Sequence, residues 1–323
     1  MAVHKISKGL DIPIAGAPTQ KIDGIKKVSK VAVVAADYPT MKPKMMVAVG
    51  DTVKCGQPLF EDRKKPGVFY TAMAAGTVSA INRGAKRALQ SVVVDVNETG
   101  TADDFQGFEA FASLKDAQSA TADETAALLL EAGMWTAFRE RPYGQVPSAE
   151  SRPGALFLTC TDSEPLSPDM SALLEGHEED FALGVKVLST LTEKVYLCVE
   201  PGSKASAAKM GSVSVEEFAG KHPAGLAGTH IHMLYGVSRS KTAWSIHLMG
   251  IVAVGHLFRT GTVFTKRIIS LAGPQVSTPR LVETRLGAFL DEVVEGELKD
   301  GEIQTILPLL PIGINESILK KKD

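Results

Sequence analysis

The residues able to do chemistry in this 323-residue chain are few and dispersed. Three of its seven histidines share one stretch, His222-Pro-Ala-Gly-Leu-Ala-Gly-Thr-His-Ile-His232. Thr229–Tyr235 reads as a strand, in which alternate side chains share a face, so His230 and His232 point the same way. Two histidines would begin a metal clip. No third ligand or nearby carboxylate follows, so no metal is expected. Gly225 and Gly228 permit close backbone approach, which suits tight packing or contact with a small molecule. The three cysteines, Cys55, Cys160 and Cys198, lie far apart without C-x-x-C spacing. That argues against a disulfide framework, a zinc ribbon and a cysteine-ligated iron–sulfur cluster, and favours a reducing compartment. No two of the 29 glycines are separated by a single residue, so a G-x-G-x-x-G dinucleotide loop is missing. Walker, G-x-S-x-G and H-E-x-x-H patterns are missing too; His177-Glu178-Glu179-Asp180 lacks a second histidine.

Composition narrows the setting. Hydrophobic residues make up 44% and charged residues 22%, as in ordinary globular proteins. The N-terminus lacks a signal-peptide core. The longest apolar run, Ala243–Phe258, contains two histidines and is shorter than the ~20 residues of a membrane span. Residues 1–100 hold 15 Lys and Arg against 8 Asp and Glu, a balance of +7, while the remainder holds 20 against 29, a balance of −9. A basic third suits an anionic surface or acidic partner. Few aromatics lie among these lysines, so nucleic acid is not expected.

Three segments must position these residues. Residues 31–96 show short β runs at Val31-Ala-Val-Val, Val47–Phe60, Phe69–Ile81 and Ser91–Val96, punctuated by Gly and Pro, as in a small barrel or sandwich. Residues 101–257 begin with the helix Asp123–Ala132. They continue with strand Gly154–Cys160, a helix from Glu178 to Glu193 and strand Lys194–Glu200, a βαβ order that predicts a parallel sheet. Ala243–Phe258 reads as a buried helix. Residues 259–323 turn β-rich, with Val263–Gly273 and Pro279–Gly287 flanking a turn, then a short helix at Ala288–Val294. This order is β-grasp-like. The fold class is therefore α/β plus β, in domains 1–100, 101–257 and 258–323.

The strings VGDTVKCGQPLF and AAGTVSAI resemble the barrel-sandwich hybrid of biotinyl and lipoyl carriers, whose modified lysine sits at a hairpin tip. Here the tip is Glu61–Gly67, with Lys64 and Lys65, but the carriers' flanking residues are missing and Pro66-Gly67 is an ordinary turn. More of the chain resembles the A subunit of the bacterial Na+-translocating NADH:quinone oxidoreductases. The strings are KGLDIPIAGAP (Lys8–Pro18), VGDTVKCGQPLFEDRKKPGV (Val49–Val68), INRGAKRALQSVV (Ile81–Val93), HPAGLAGTHIH (His222–His232) and SLAGPQVSTPRLV (Ser270–Val282). After Gln304 the pattern lapses, at the point where the family proceeds into a helical C-terminal domain.

The resemblance implies a barrel-sandwich hybrid domain, a Rossmann-like domain and a soluble-ligand-binding β-grasp domain. It also implies a peripheral protein without a transmembrane segment on the cytoplasmic face of the inner membrane. Such a protein works with five other subunits that use NADH, flavins and iron–sulfur centres to reduce ubiquinone and pump Na+. No cofactor is expected on this chain. Related flavin-binding subunits carry a glycine-rich loop where this chain has Ala132–Gly144. Here Gly133 is followed by Trp135, Phe138, Arg139 and Arg141, too bulky for a backbone–phosphate approach. An anion on Arg139 or Arg141 competes with a plain helix-capping role for these arginines. Asp162–Pro168 matches a loop near the flavin in the same relatives and reads here as a helix-initiating turn. For the histidine stretch a core or interface role is the default. Quinone contact is the sharper alternative, with His222, His230 and His232 as donors and Leu226, Met233 and Trp244 as walls of a cleft between the second and third domains.

Overall fold

The computed structural model describes residues 3–205 and 213–299. The expected end after Gln304 lies outside the described residues. Two short strands come first, β1 (Val3–Ile6) and β2 (Thr19–Ile25). Seven more follow: β3 (Lys30–Val34), β4 (Pro43–Met45), β5 (Thr52–Val53), β6 (Pro58–Asp62), β7 (Phe69–Thr71), β8 (Gly76–Arg83) and β9 (Leu89–Val96). They form two small antiparallel sheets, β3-β9-β8-β5 and β4-β6-β7. Alternating Val31, Val33, Val78, Val92 and Val94 turn inward with Leu59, Phe60 and Tyr70, so two half-buried sheets share one core.

The first two strands of the expected domain 1–100 complete sheets formed by later parts of the chain. β1 pairs in parallel with a strand far along the chain, Val3 opposite Glu217, and β2 pairs in parallel with another, Ile22 opposite Leu281. The barrel proper begins at Lys30. Four- and seven-residue strands carry no local sign of which distant sheet edge they complete, so composition assigned them to their sequence neighbours.

The middle of the chain contains α1 (Glu109–Ser113), α2 (Ala122–Glu131), β10 (Arg139–Arg141), β11 (Leu156–Cys160), α3 (Met170–Leu174) and α4 (Glu178–Leu188). It goes on through β12 (Val195–Val199), β13 (Val213–Gly220), α5 (Ala227–Leu234), β14 (Ala243–His247) and α6 (Leu248–Thr260). The sheet order is β1-β13-β12-β11-β14-β10, parallel except for β10. Strands β11, β12 and β13 step one way and β14 lies on the other side of β11, so the order reverses there. Thr121 caps α2 and Glu124 returns the bond, as the Thr-x-x-Glu spacing requires.

Two segments differ from expectation. Thr229–Leu234 is helical, because His230, Ile231 and Leu234 fall on one helical face and the β-branched pair Thr229 and Ile231 only mimics alternation. Ala243–Phe258 is a strand followed by a helix. All five residues of β14 are buried, and an unbroken apolar run hides the change of period at His247. Helix α6 continues to Thr260 and stops at left-handed Gly261, so the expected boundary at 257/258 falls within its last turn. The third segment holds β15 (Lys266–Leu271), β16 (Arg280–Arg285) and α7 (Leu290–Val294), in the sheet β15-β16-β2. The helix begins two residues later than Ala288, within ordinary boundary scatter. No helix among the described residues is long and apolar enough to cross a membrane.

Candidate functional site

The segment where a phosphate loop would lie is filled. After α2 the chain turns at Gly133 (φ +72°), where a Cβ would come 2.6 Å from Thr71 of the barrel. Trp135 and Phe138 are fully buried and meet Trp244, with ring centroids 5.2–5.5 Å apart. Each indole N–H has an acceptor, the Pro147 carbonyl at 3.2 Å for Trp135 and Glu140 Oε2 at 3.1 Å for Trp244. Three satisfied aromatic rings make a dry, close-packed wall. The Arg139 guanidinium donates to the carbonyls of Thr136 (2.7 Å), Phe138 (3.0 Å) and Asp37 (3.3 Å) and lies over the Tyr38 ring. The capping role therefore describes Arg139. Arg141 has a buried Nε with no partner among the described residues.

The histidine stretch does not form the expected cluster. On helical α5, His230 points inward, its Nε2 donating to the Ala224 carbonyl at 2.8 Å and its ring 4.1 Å from Phe218. Burial pushes its pKa down to about 4. His232 is exposed, so the two do not share a face. Met233 (43%) and Leu226 (36%) are exposed on the same helix and its cap. Trp244 lies on the opposite face of the sheet, packing with Leu156 while Ile231 packs with Phe157 and Phe218. His222 instead meets Ser163 across 59 residues. Ser163 Oγ accepts the Gly225 amide at 2.8 Å and lies 3.2 Å from His222 Nδ1.

That pairing marks the crevice at the strand-order reversal, where open α/β sheets bind ligands. Asp162 accepts the Glu164 amide at 2.8 Å. Burial, reinforced by Asp162, raises Glu164 to about 7, and its Oε2 has no partner among the described residues. Burial also raises Glu200, just beyond β12. A strap from Ile6 to Gln20 crosses the rim. The Leu10 amide donates to the His222 carbonyl at 3.0 Å, and Gln20 accepts from the Asp169 amide at 2.8 Å. Reading Asp162–Pro168 as a turn missed Glu164. The clue was an Asp-Ser-Glu triplet just after a wholly buried strand.

Other sites are less suggestive. Burial pushes all three thiols up, Cys55 to about 12, so none is poised as a nucleophile. No three His, Cys, Asp or Glu converge among the described residues. At the hairpin tip Lys64 is exposed, but Lys65 Nζ donates to the Val146 carbonyl. A cavity of about 520 Å³ lies between residues 111–118 and helices α4 and α6, walled by Phe111, Leu114, Leu183 and Phe258 with Lys115 and Arg259 at hand.

Comparison with known proteins decides the family. Residues 4–97 match the NqrA N-terminal barrel-sandwich hybrid domain, 120–263 the NqrA second alpha/beta domain and 268–307 the NQRA C-terminal domain, of SLBB type. The A subunit of the Na(+)-translocating NADH-quinone reductase of Saccharophagus degradans is 47% identical over 94% of this chain and 67% of its own length. This chain belongs to the NqrA family. The NqrA proteins of Glaesserella parasuis (45% over 93% of this chain and 67% of theirs) and Pseudomonas aeruginosa (46% over 94% and 66%) agree. The chain thus spans about two thirds of these NqrA proteins. Among solved structures, an NAD+-reducing NiFe hydrogenase in the H2-reduced state overlaps 61% of this chain and 43% of its own at 15% identity. Its TM-score of 0.41 is too low to bear on function.

Proposed function

We propose that the chain acts as a peripheral NqrA subunit, without a redox centre of its own, in a six-subunit membrane complex that oxidises NADH, reduces ubiquinone and moves Na+. It would sit on the cytoplasmic face of the inner membrane. The observation that carries this reading is the match of three domains in order, at 47% identity over 94% of the chain. The Trp135–Phe138–Trp244 wall supports the flavin-free part, because a phosphate needs bare backbone where these rings pack. The parallel sheet with one reversal supports a Rossmann-like second domain, and the β15-β16-β2 sheet followed by α7 a β-grasp-like third.

Docking would use the basic face of the barrel. The experiment is capture of membrane partners from low to high salt, with charge reversal at Arg63, Lys64, Lys86 and Arg87. Association should weaken with salt and with reversal. Unchanged capture would remove the electrostatic docking, and no capture of quinone-reductase subunits would remove the assignment.

For quinone contact the remaining candidates of the histidine stretch are His222, His232, Leu226 and Met233, since His230 and Trp244 are enclosed on opposite faces. Titration with ubiquinone analogues of increasing tail length should show rising affinity, because one carbonyl hydrogen bond gives only about 1 kcal/mol and apolar burial the rest. Loss of binding in His222→Ala favours the crevice. Loss in Phe258→Ala alone moves the site to the 520 Å³ cavity.

A further inference from the structure

Residues 7–15 of the strap are exposed without exception. Leu10, Ile12 and Ile14 stand out of it with 66%, 54% and 40% of their surface in solvent. A single exposed aliphatic residue is ordinary, but three at alternate positions mark a contact surface. The strap does not hang loose. The Leu10 amide donates to the His222 carbonyl at 3.0 Å, and the Gly273 amide donates to the Gly16 carbonyl at 2.9 Å. Only glycine fits at these two anchor points. A Cβ on Gly9 would lie 2.2 Å from the His222 oxygen, and one on Gly16 (φ +83°) would lie 2.3 Å from the Gly273 oxygen. Between them the Ile14 amide bonds back to the Ile12 carbonyl at 2.9 Å, folding the chain tightly at Pro13. The fold therefore holds these three side chains outward.

Charge says what covers this surface. Lys5, Lys8, Lys21 and Lys27 flank it in sequence, all exposed and without an ion pair among the described residues. The two acids of residues 3–27 are matched, Asp11 by Lys221 at 3.5 Å and Asp23 by the charge of Arg280. Residues 3–27 contain no Trp, Tyr, Phe or Arg. Protein interfaces concentrate those residue types and are poor in lysine. Aliphatic contacts flanked by free lysines instead match the interface of an anionic bilayer. There the acyl region takes the apolar side chains and the headgroups take the charge.

We propose that the strap is a lipid-contacting surface, seating Leu10, Ile12 and Ile14 in the interface of an anionic bilayer. This goes beyond the subunit assignment, since membership of a membrane complex does not say which face meets lipid. The surface is separate from the basic barrel face that would dock protein partners. Three aliphatic side chains reach only the boundary of headgroups and acyl chains, so the attachment is shallow and reversible. Because the strap crosses the rim of the crevice, the Ser163–His222 pair would then open beside the bilayer.

The test uses the full chain and vesicles of phosphatidylcholine with and without phosphatidylglycerol. These hold no partner protein, so the result does not depend on the subunit assignment. Sedimentation should show binding to the anionic vesicles that weakens as salt rises. Leu10→Ser, Ile12→Ser and Ile14→Ser combined should weaken it about tenfold or more, through lost apolar contact. All three side chains are exposed, so that variant should unfold at the wild-type temperature. Cys55, Cys160 and Cys198 are buried, so Ile12→Cys takes a polarity-sensitive thiol label selectively. Its emission should shift to the blue on anionic vesicles. Charge reversal at Lys64, Lys86 and Arg87 of the barrel should weaken binding less than the serine variant does. The proposal is overturned if the chain ignores anionic vesicles at millimolar lipid, or if the serine variant binds as the wild type does. It is overturned equally if the label stays in water while the chain is bound. Binding lost on barrel reversal but kept in the serine variant would move the lipid contact to the barrel. Should vesicles be ignored while a photoreactive group in place of Ile12 captures a protein in native membranes, the strap is a protein contact instead.

Discussion

His230 shows what a single enclosed titratable group does to a fold. Its Nε2 carries the proton given to Ala224, so protonation would have to occur at Nδ1, which is buried without a partner among the described residues. The folded pKa, about 4, is below the unfolded value of 6.5. The unfolded chain therefore binds the extra proton first, and the stabilisation is full above pH 6.5 and lost as pH falls toward 4. The whole swing is about 3 kcal/mol. Unfolding titrations of His230→Gln, which keeps a donor for Ala224, should lack this component between pH 6.5 and 4. Glu164 runs the other way. Its folded pKa is raised to about 7 from 4.5, so its contribution is present below pH 4.5 and fades as pH rises through 7. Glu164→Gln should be the more stable form at about pH 8, with the advantage shrinking in acid. At this scale Trp135 and Phe138 were legible, because bulk at a phosphate loop has one consequence wherever it folds. The Ser163–His222 pair was not, since two residues 59 positions apart share no local pattern.

Helices α4 and α6 pack backbone against backbone. They approach so closely that a Cβ on Gly255 would lie 1.7 Å from the Asp180 carbonyl, and one on Gly184 would lie 2.1 Å from that of Ile251. The same Asp180 anchors α6 by its side chain, accepting Arg259 Nε at 2.6 Å and Nη2 at 3.0 Å. Gly255→Ala must push backbone from backbone and should cost at least ~3 kcal/mol in denaturant unfolding. Trp135→Ala should cost about 3–5 kcal/mol through the cavity left between Phe138 and Trp244. If that variant instead gains affinity for FMN, the wall rather than the missing glycines was what excluded a flavin. The βαβ order of β11, α4 and β12 was legible because its apolar positions change period cleanly. The β14–α6 junction was not, because every residue from Ala243 to Gly255 is buried and burial alone has no period.

The molecule as a whole is laced together by its first 25 residues. Lys26, just after β2, and Arg280 on β16 both hold Glu297, at 2.5 Å and 2.7 Å. Arg280 in particular keeps that carboxyl down at about 2, so the tie is present above pH 4.5 and fails as pH falls toward 2. A chain lacking residues 1–27 should keep its barrel. Hydrogen exchange should show the β8–β9 ladder protected as before and protection lost at β13 and β16. Equal loss throughout would mean that the domains fold only as a unit. Domain order along the chain was legible from composition, but this lacing was not, because strand pairing between distant segments leaves no trace in either one.

The lacing also sets an order of events at the ribosome. The first strands to emerge are those whose partners emerge late, Glu217 for Val3 and Leu281 for Ile22. At roughly 5–20 residues per second, both strands wait for about ten seconds or longer with their backbone groups unmet. Throughout that time the nascent chain trails an apolar tether, with Leu10, Ile12 and Ile14 still exposed even in the finished fold. The barrel can close early, but the sheets of the second and third domains are completed only when β1 and β2 find their late partners.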